Sequence, residues 1–190
     1  MTNTTRVLAI SGSLRGASHN TALLHVAAAL APSGVEVTHL DGLTDLPPYD
    51  EDLDVSPALE PVRALRDAIA GADAVLLATP EYNRSIPGQL KNILDWASRP
   101  YPFSALHGKP VAIIGGSPGH FGAAWAHAEL RNVLEAIGAR VLSRNLSIPR
   151  IHEAFDRRGG LLDPDRRGRL SEIIRLLAED AQRGPTGLAA

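Results

Sequence analysis

The chain contains no cysteine in its 190 residues. That excludes disulfide frameworks, thiolate zinc sites, cysteine-ligated iron–sulfur clusters and dithiol redox motifs, so any redox chemistry must ride on a bound group. Aromatic residues make up 4%, with two tryptophans, three tyrosines and three phenylalanines. No apolar run approaches the roughly 18–20 residues of a membrane-spanning helix. The start, Met1-Thr2-Asn3-Thr4-Thr5, has neither the basic residues nor the apolar stretch of a secretory signal, so the expected location is the cytoplasm. A surplus of one charge is missing too, with 19 basic against 21 acidic residues and a net charge of −2. Such a chain carries no electrostatic footprint for DNA, RNA or an anionic membrane, which leaves small molecules as the expected partners. What is present is a hydrophobic content of 44%, enough for one domain over residues 1–183, with residues 184–190 expected to be a disordered tail.

Short apolar runs alternate with segments of helical periodicity. Arg6-Val7-Leu8-Ala9-Ile10 reads as a strand buried on both faces and stopped by Ser11-Gly12-Ser13. Residues 20–30 place Leu23, Leu24, Ala27, Ala28 and Leu30 on one helical stripe before Pro32-Ser33-Gly34. Residues 35–40 alternate and are rich in β-branched side chains, as in a strand. Residues 41–61 read as loop, after which Val62, Leu65, Ala68 and Ile69 mark a helix. Further strands are expected at 74–79 and 111–114 and from Arg140-Val141-Leu142 onward. The intervening helices carry Leu90, Ile93 and Leu94, then Leu130, Leu134 and Ile137 up to a cap at Gly138, and a closing helix runs over 164–181. Strict alternation predicts an α/β fold of three layers, with a doubly wound, five-stranded parallel sheet and helices on both faces; the flavodoxin-type order of such a sheet is 2-1-3-4-5.

Ligands in such a sheet bind beyond the carboxyl ends of the strands where the strand order reverses. The loop after the first strand, residues 11–20, is rich in hydroxyls and runs into a helix N-terminus, where backbone N–H groups and the helix dipole favour an anion. Ser13, Ser18 and Asn20 can donate hydrogen bonds there, and Arg15 can add a charge-assisted contact. The plainer alternative makes Ser18 and Asn20 helix caps and Arg15 a solvated side chain. With Gly12 and Gly16 alone, the loop matches neither G-x-G-x-x-G nor a P-loop, so a mononucleotide phosphate fits better than ATP or a dinucleotide. The loop at 80–88 offers Tyr82 as an aromatic face, with backbone amides left free for the edge of a planar heterocycle. In the loop at 115–122, small residues allow a flat ring close to the backbone. Three such loops meet where a flavodoxin-type fold holds FMN.

With those loops placed, the chain resembles the NADPH-dependent FMN reductase family, which includes quinone, chromate and azo-dye reductases. The matching stretches are Gly12-Ser13-Leu14-Arg15 with Ser18 and Asn20, and Pro80-Glu81-Tyr82-Asn83 with Ser85, Pro87-Gly88, Leu90-Lys91-Asn92 and Asp95-Trp96. Leu46-Pro47-Pro48-Tyr49-Asp50 and Gly108-Lys109-Pro110-Val111 are similar as well. The resemblance implies that Ser13, Leu14, Arg15, Ser18 and Asn20 hold the FMN phosphate. It likewise implies that Pro80, Glu81, Tyr82, Asn83 and Ser85 line the isoalloxazine and that Ser117 and Gly119 border it. It implies hydride transfer from NADPH or NADH to FMN and on to a quinone, chromate, azo compound or free flavin, with no protein acid, base or nucleophile in the central step. Dimers or tetramers with the flavin near the subunit interface are implied too, with a role there for Tyr49, Trp96 and Trp125; a peripheral core contact is the alternative for the tryptophans. His120 and Phe121 sit in a stretch that matches only loosely and receive no role.

Two other readings are weighed against this one. Gly115-Gly116-Ser117-Pro118-Gly119 matches the G-x-S-x-G of serine hydrolases. The residue after the nucleophile must lend its backbone N–H to the oxyanion hole, and Pro118 has none. An FMN-binding electron carrier or signalling module is the other, and carriers usually have strongly acidic docking surfaces, unlike this near-neutral chain. The seven histidines show no metal-ligand spacing.

Overall fold

The computed structural model describes residues 4–184; of the expected tail, residues 185–190 lie outside them. Five strands form where the apolar runs fall: β1 (Thr5–Ser11), β2 (Val35–His39), β3 (Ala74–Thr79), β4 (Pro110–Ser117) and β5 (Arg140–Pro149). All neighbours are parallel, and the order is β2-β1-β3-β4-β5. Five helices connect and close them: α1 (His19–Ala29), α2 (Glu60–Gly71), α3 (Gly88–Ala97), α4 (Ala124–Ile137) and α5 (Pro164–Arg183). This is the flavodoxin-like architecture expected from the alternation.

Period-two alternation along the central strands sorts the core into two layers. Leu8, Ile10, Val75, Leu77, Val111 and Ile113 face α2, α3 and α4. Val7, Ala9, Leu76, Ala78, Ala112 and Ile114 face α1 and α5. The closing helix inserts Leu170, Ile173, Ile174 and Leu177, each almost fully buried and each stabilising by roughly 1.5–3 kcal/mol. Gly138 ends α4 at φ 91°, as its place after the apolar stripe predicts. No helix among the described residues is long and apolar enough to cross a membrane.

Two segments differ from the pattern-based expectation. β5 runs to Pro149, past the polar Ser143-Arg144-Asn145, because those residues lie on an exposed stretch of an edge strand where polar side chains are tolerated. The segment at 41–61 contains two short 3-10 turns, Leu43–Asp45 and Glu51–Leu53, and buries Leu43 and Leu46 against the α2–α3 layer.

His127 is the one strongly perturbed group of this framework. It sits on α4 at 2% exposure, and neither ring nitrogen finds a hydrogen-bond partner. Burial lowers its pKa to about 4; the nearby Ile114 carbonyl opposes the shift, though without hydrogen-bond geometry, and Arg131 reinforces it. Because the folded state refuses a proton that the unfolded chain accepts below pH 6.5, stability is lost as pH falls from 6.5 towards 4 and is fully present above it. We predict that urea denaturation of wild type and His127→Leu, compared at pH 7 and pH 4, shows the variant spared roughly 3 kcal/mol of acid destabilisation.

Candidate active site

The loops after β1, β3 and β4 all leave the carboxyl edge of the sheet, and they are tied to one another by specific contacts. The first tie is Asn20. Its Nδ2 donates to the Gly116 carbonyl at 3.1 Å, and its Oδ1 accepts from the Gly116 N–H at 2.9 Å. Both polar ends of this buried amide are thus spent on the end of β4. Space for it depends on the neighbouring glycine: a Cβ on Gly115 (φ 144°) would lie 2.2 Å from the Thr79 carbonyl and 2.8 Å from Asn20 Oδ1. Asn20 is therefore a brace between α1 and β4, and the helix cap is Ser18.

Ser18 is the N-cap of α1 and accepts from the Thr21 N–H at 3.3 Å. Ser11 Oγ and Thr21 Oγ1 are 2.8 Å apart, which fixes the root of the loop. Among the described residues, the backbone N–H groups of His19 and Asn20 have no protein acceptor. Around that helix end, Ser13 is half-buried while Leu14 and Arg15 are exposed. The arrangement leaves two helix N–H groups, two hydroxyls and a guanidinium for an anion. His19, which the sequence pattern left aside, stacks on Phe155 from the β5–α5 connection with ring centres 5.8 Å apart.

The loop after β3 is anchored at both ends. Pro80 is buried, and its carbonyl accepts from Thr79 Oγ1 at 2.8 Å. Tyr82 and Ser85 exchange backbone hydrogen bonds of 3.0 and 2.9 Å around Asn83 and Arg84, both at positive φ, a tight hairpin turn. Tyr82 is 48% exposed. Glu81 turns to α4: its Oε2 accepts from the N–H groups of Trp125 at 3.1 Å and Ala126 at 3.4 Å. α4 has no cap of its own, since Ala123 precedes it in a left-handed conformation, so Glu81 supplies the cap from another loop.

Ser117 is the buried last residue of β4, and Gly119, exposed, accepts from the Arg150 N–H at 3.2 Å. Six residues, 118–123, separate Ser117 from α4, so it does not occupy the strand-to-helix elbow of a hydrolase nucleophile. Trp96 is fully buried in the α2–α3 layer and donates from Nε1 to the Pro47 carbonyl at 2.8 Å. That excludes it from any interface role and makes it a core residue. Asn92 holds the same segment, donating to the Pro47 carbonyl at 2.8 Å and accepting from the Tyr49 N–H at 2.7 Å. Trp125 stays 39% exposed, beside Phe121 at 66%.

A concavity of about 540 Å³ lies at the opposite, amino end of the sheet, lined by Thr5, Ser33, Gly34, Asp73 and Gln182. Among the described residues no helix N-terminus opens into it, and its Gln182 amide is bonded to the Thr5 hydroxyl. Tyr101 and Phe103, both exposed, follow α3 towards this amino end and stand apart from the three loops.

The brace and the cap have measurable costs. Asn20→Ala leaves Gly116 unpaired in a buried place and should lower urea stability of the flavin-free chain by about 2–3 kcal/mol. Glu81→Ala should cost about 1 kcal/mol, the usual value of a lost helix N-terminal carboxylate. An unchanged denaturation midpoint in either variant would contradict the roles assigned here.

Comparison with known proteins places the chain in a family. Residues 5–153 match the family model described as NADPH-dependent FMN reductase. The chain is 42% identical to an NAD(P)H-dependent FMN reductase of Pseudomonas aeruginosa over 93% of its own length and 95% of the relative's. It is also 42% identical to a 2-hydroxy-1,4-benzoquinone reductase of a Burkholderia species, over 89% of this chain and 92% of that one. Among solved structures, the flavoenzyme NAD(P)H:(acceptor) oxidoreductase FerB of Paracoccus denitrificans superposes with a TM-score of 0.85 at 39% identity, covering 95% of this chain and 98% of its own. The chain belongs to the NADPH-dependent FMN reductase family, whose members work with FMN and NAD(P)H.

Proposed function

We propose that this chain passes reducing equivalents from NAD(P)H through FMN to quinones, with the FMN phosphate held by the loop after β1. The carrying observation is the N-terminus of α1, where the His19 and Asn20 N–H groups lack protein acceptors beside Ser13, Ser18 and Arg15. A phosphomonoester accepts from all of these at once. The Ser18 hydroxyl accepts from Thr21 and keeps its own hydrogen for the phosphate. Asn20 serves through its backbone N–H, while its side chain braces Gly116. Leu14 lends backbone and an exposed apolar face.

Tyr82, Asn83 and Ser85 line one side of the flavin ring in this reading, on the turn that Pro80 and Glu81 hold in place, with Ser117 and Gly119 along the other. Bound FMN supplies a ring that takes and returns hydride. The chain's own part is to position that ring, so no acid, base or nucleophile is assigned. Quinones are supported as acceptors by the benzoquinone and quinone reductases among the relatives. An exposed reduced ring also suits chromate, azo compounds and free flavin. The near-neutral charge of −2 supports small diffusible acceptors over a docked protein. Phe121, 66% exposed at the rim, supports a homodimer or homotetramer that covers it. The cytoplasm, where NAD(P)H is made, is the proposed location.

Titration with FMN and with riboflavin separates the phosphate from the ring. Wild type should prefer FMN, and Arg15→Ala should reduce that preference by about tenfold while leaving riboflavin affinity unchanged. Equal affinity of wild type for the two flavins would overturn the phosphate assignment.

A further inference from the structure

Arg84 stands where its residue type is not favoured. At φ 62°, after Asn83 at φ 54°, it is a central residue of a turn that glycine or asparagine fills with less strain. An outlier of that kind is a reason to ask what the side chain does. The guanidinium carbon of Arg84 lies 5.3 Å from the centre of the Trp125 ring, and Phe121 packs edge-on against the same indole at 4.7 Å. The indole holds the cation by its ring face without accepting a conventional hydrogen bond, so the N–H donors of the guanidinium remain available.

Those donors are unspent. Among the described residues, Arg84 forms no ion pair and donates no hydrogen bond. Of other cations in the chain, Lys91 pairs with Asp95, Arg99 with the Tyr49 hydroxyl and Arg150 with Glu153, while Arg15 belongs to the loop after β1. The acid closest in sequence, Glu81, has its Oε2 on the α4 N-terminus. The result is an oriented, unneutralised cation beside an exposed ring, between the loops after β3 and β4.

Resting on the flavin reading above, we propose that Arg84 and Trp125 form a subsite for the anionic group of a redox substrate, in which the indole meets a flat portion and the guanidinium edge binds the oxyanion. Two substrates carry that chemistry. One is the electron donor, whose 2′-phosphate sits beside a purine in NADPH and is missing from NADH. The other is a quinone bearing an acidic oxygen or sulfonate.

Steady-state kinetics of the FMN-loaded enzyme distinguish them. Arg84→Gly suits the backbone at this φ, so loss of the guanidinium is separated from loss of folding; Arg84→Lys keeps the charge, and Trp125→Leu removes the ring. KM is measured for NADPH and NADH with neutral benzoquinone, then for a sulfonated and an unsubstituted benzoquinone with NADH. In Arg84→Gly the anionic member of one pair should rise about tenfold in KM while its neutral counterpart and FMN affinity stay within about twofold. Arg84→Lys should recover part of the loss, and Trp125→Leu should affect the same member. The pair that moves identifies the source of the anion. If both members of each pair move together, or neither does, the subsite is overturned while the flavin reading stands. A wild-type chain that binds no FMN would overturn both.

Discussion

The carboxyl edge of this protein depends on one amide. Asn20 reaches from the first turn of α1 to the end of β4 and satisfies both backbone groups of Gly116. It fits because Gly115 has no Cβ to meet the Thr79 carbonyl and Asn20 itself. The helix whose N-terminus is offered to an anion is thereby fixed relative to the strand that leads into the third loop. A buried amide with all of its backbone partners present is rigid, and losing it would leave paired groups orphaned. The geometry of the loop after β1 is in this sense set from β4, far away in sequence.

The same logic recurs at the other loops. Glu81 leaves the loop after β3 to cap α4, which has no cap of its own. Asn92 and Trp96 on α3 converge on the Pro47 carbonyl. Each is part of a stretch on which the family resemblance rests, and each acts here on backbone of a different segment. Much of that sequence signature is therefore framework: it holds the loops in register so that exposed groups such as Tyr82 and Arg84 stand at defined places.

The strands and helices were largely legible because their burial leaves a period in the sequence. Central strands buried on both faces read as continuous apolar runs, and α5 shows its stripe plainly. β5 was harder to bound, since an edge strand tolerates Ser143, Arg144 and Asn145. At the site, the hydroxyls of the first loop pointed to a helix end, and the structure has Ser18 cap it with the His19 and Asn20 N–H groups left without protein acceptors among the described residues. What local pattern could not convey was which way a polar side chain turns. Asn20 and Glu81 look like ligand contacts in sequence, yet their partners lie 96 and about 44 residues away. Trp96 looks half apolar and half exposed on a helical stripe, and only the packing of the Pro47 segment over it explains its complete burial. Long-range pairing has no period, so no window of sequence reports it.

A chain without cysteine and with balanced charge has neither thiols to carry electrons nor a surplus of charge to draw in a protein donor. A flavin that takes its electrons directly from a diffusible nicotinamide resolves both absences. The decisive measurement is the visible absorbance of the FMN-loaded chain mixed with NADPH under anaerobic conditions, followed by a quinone. If the chain is its own reductase, the flavin bleaches with no other protein present and regains its colour when the quinone is added. A flavin that stays oxidised with both NADPH and NADH until a separate reductase is supplied would contradict it and make the chain an electron carrier.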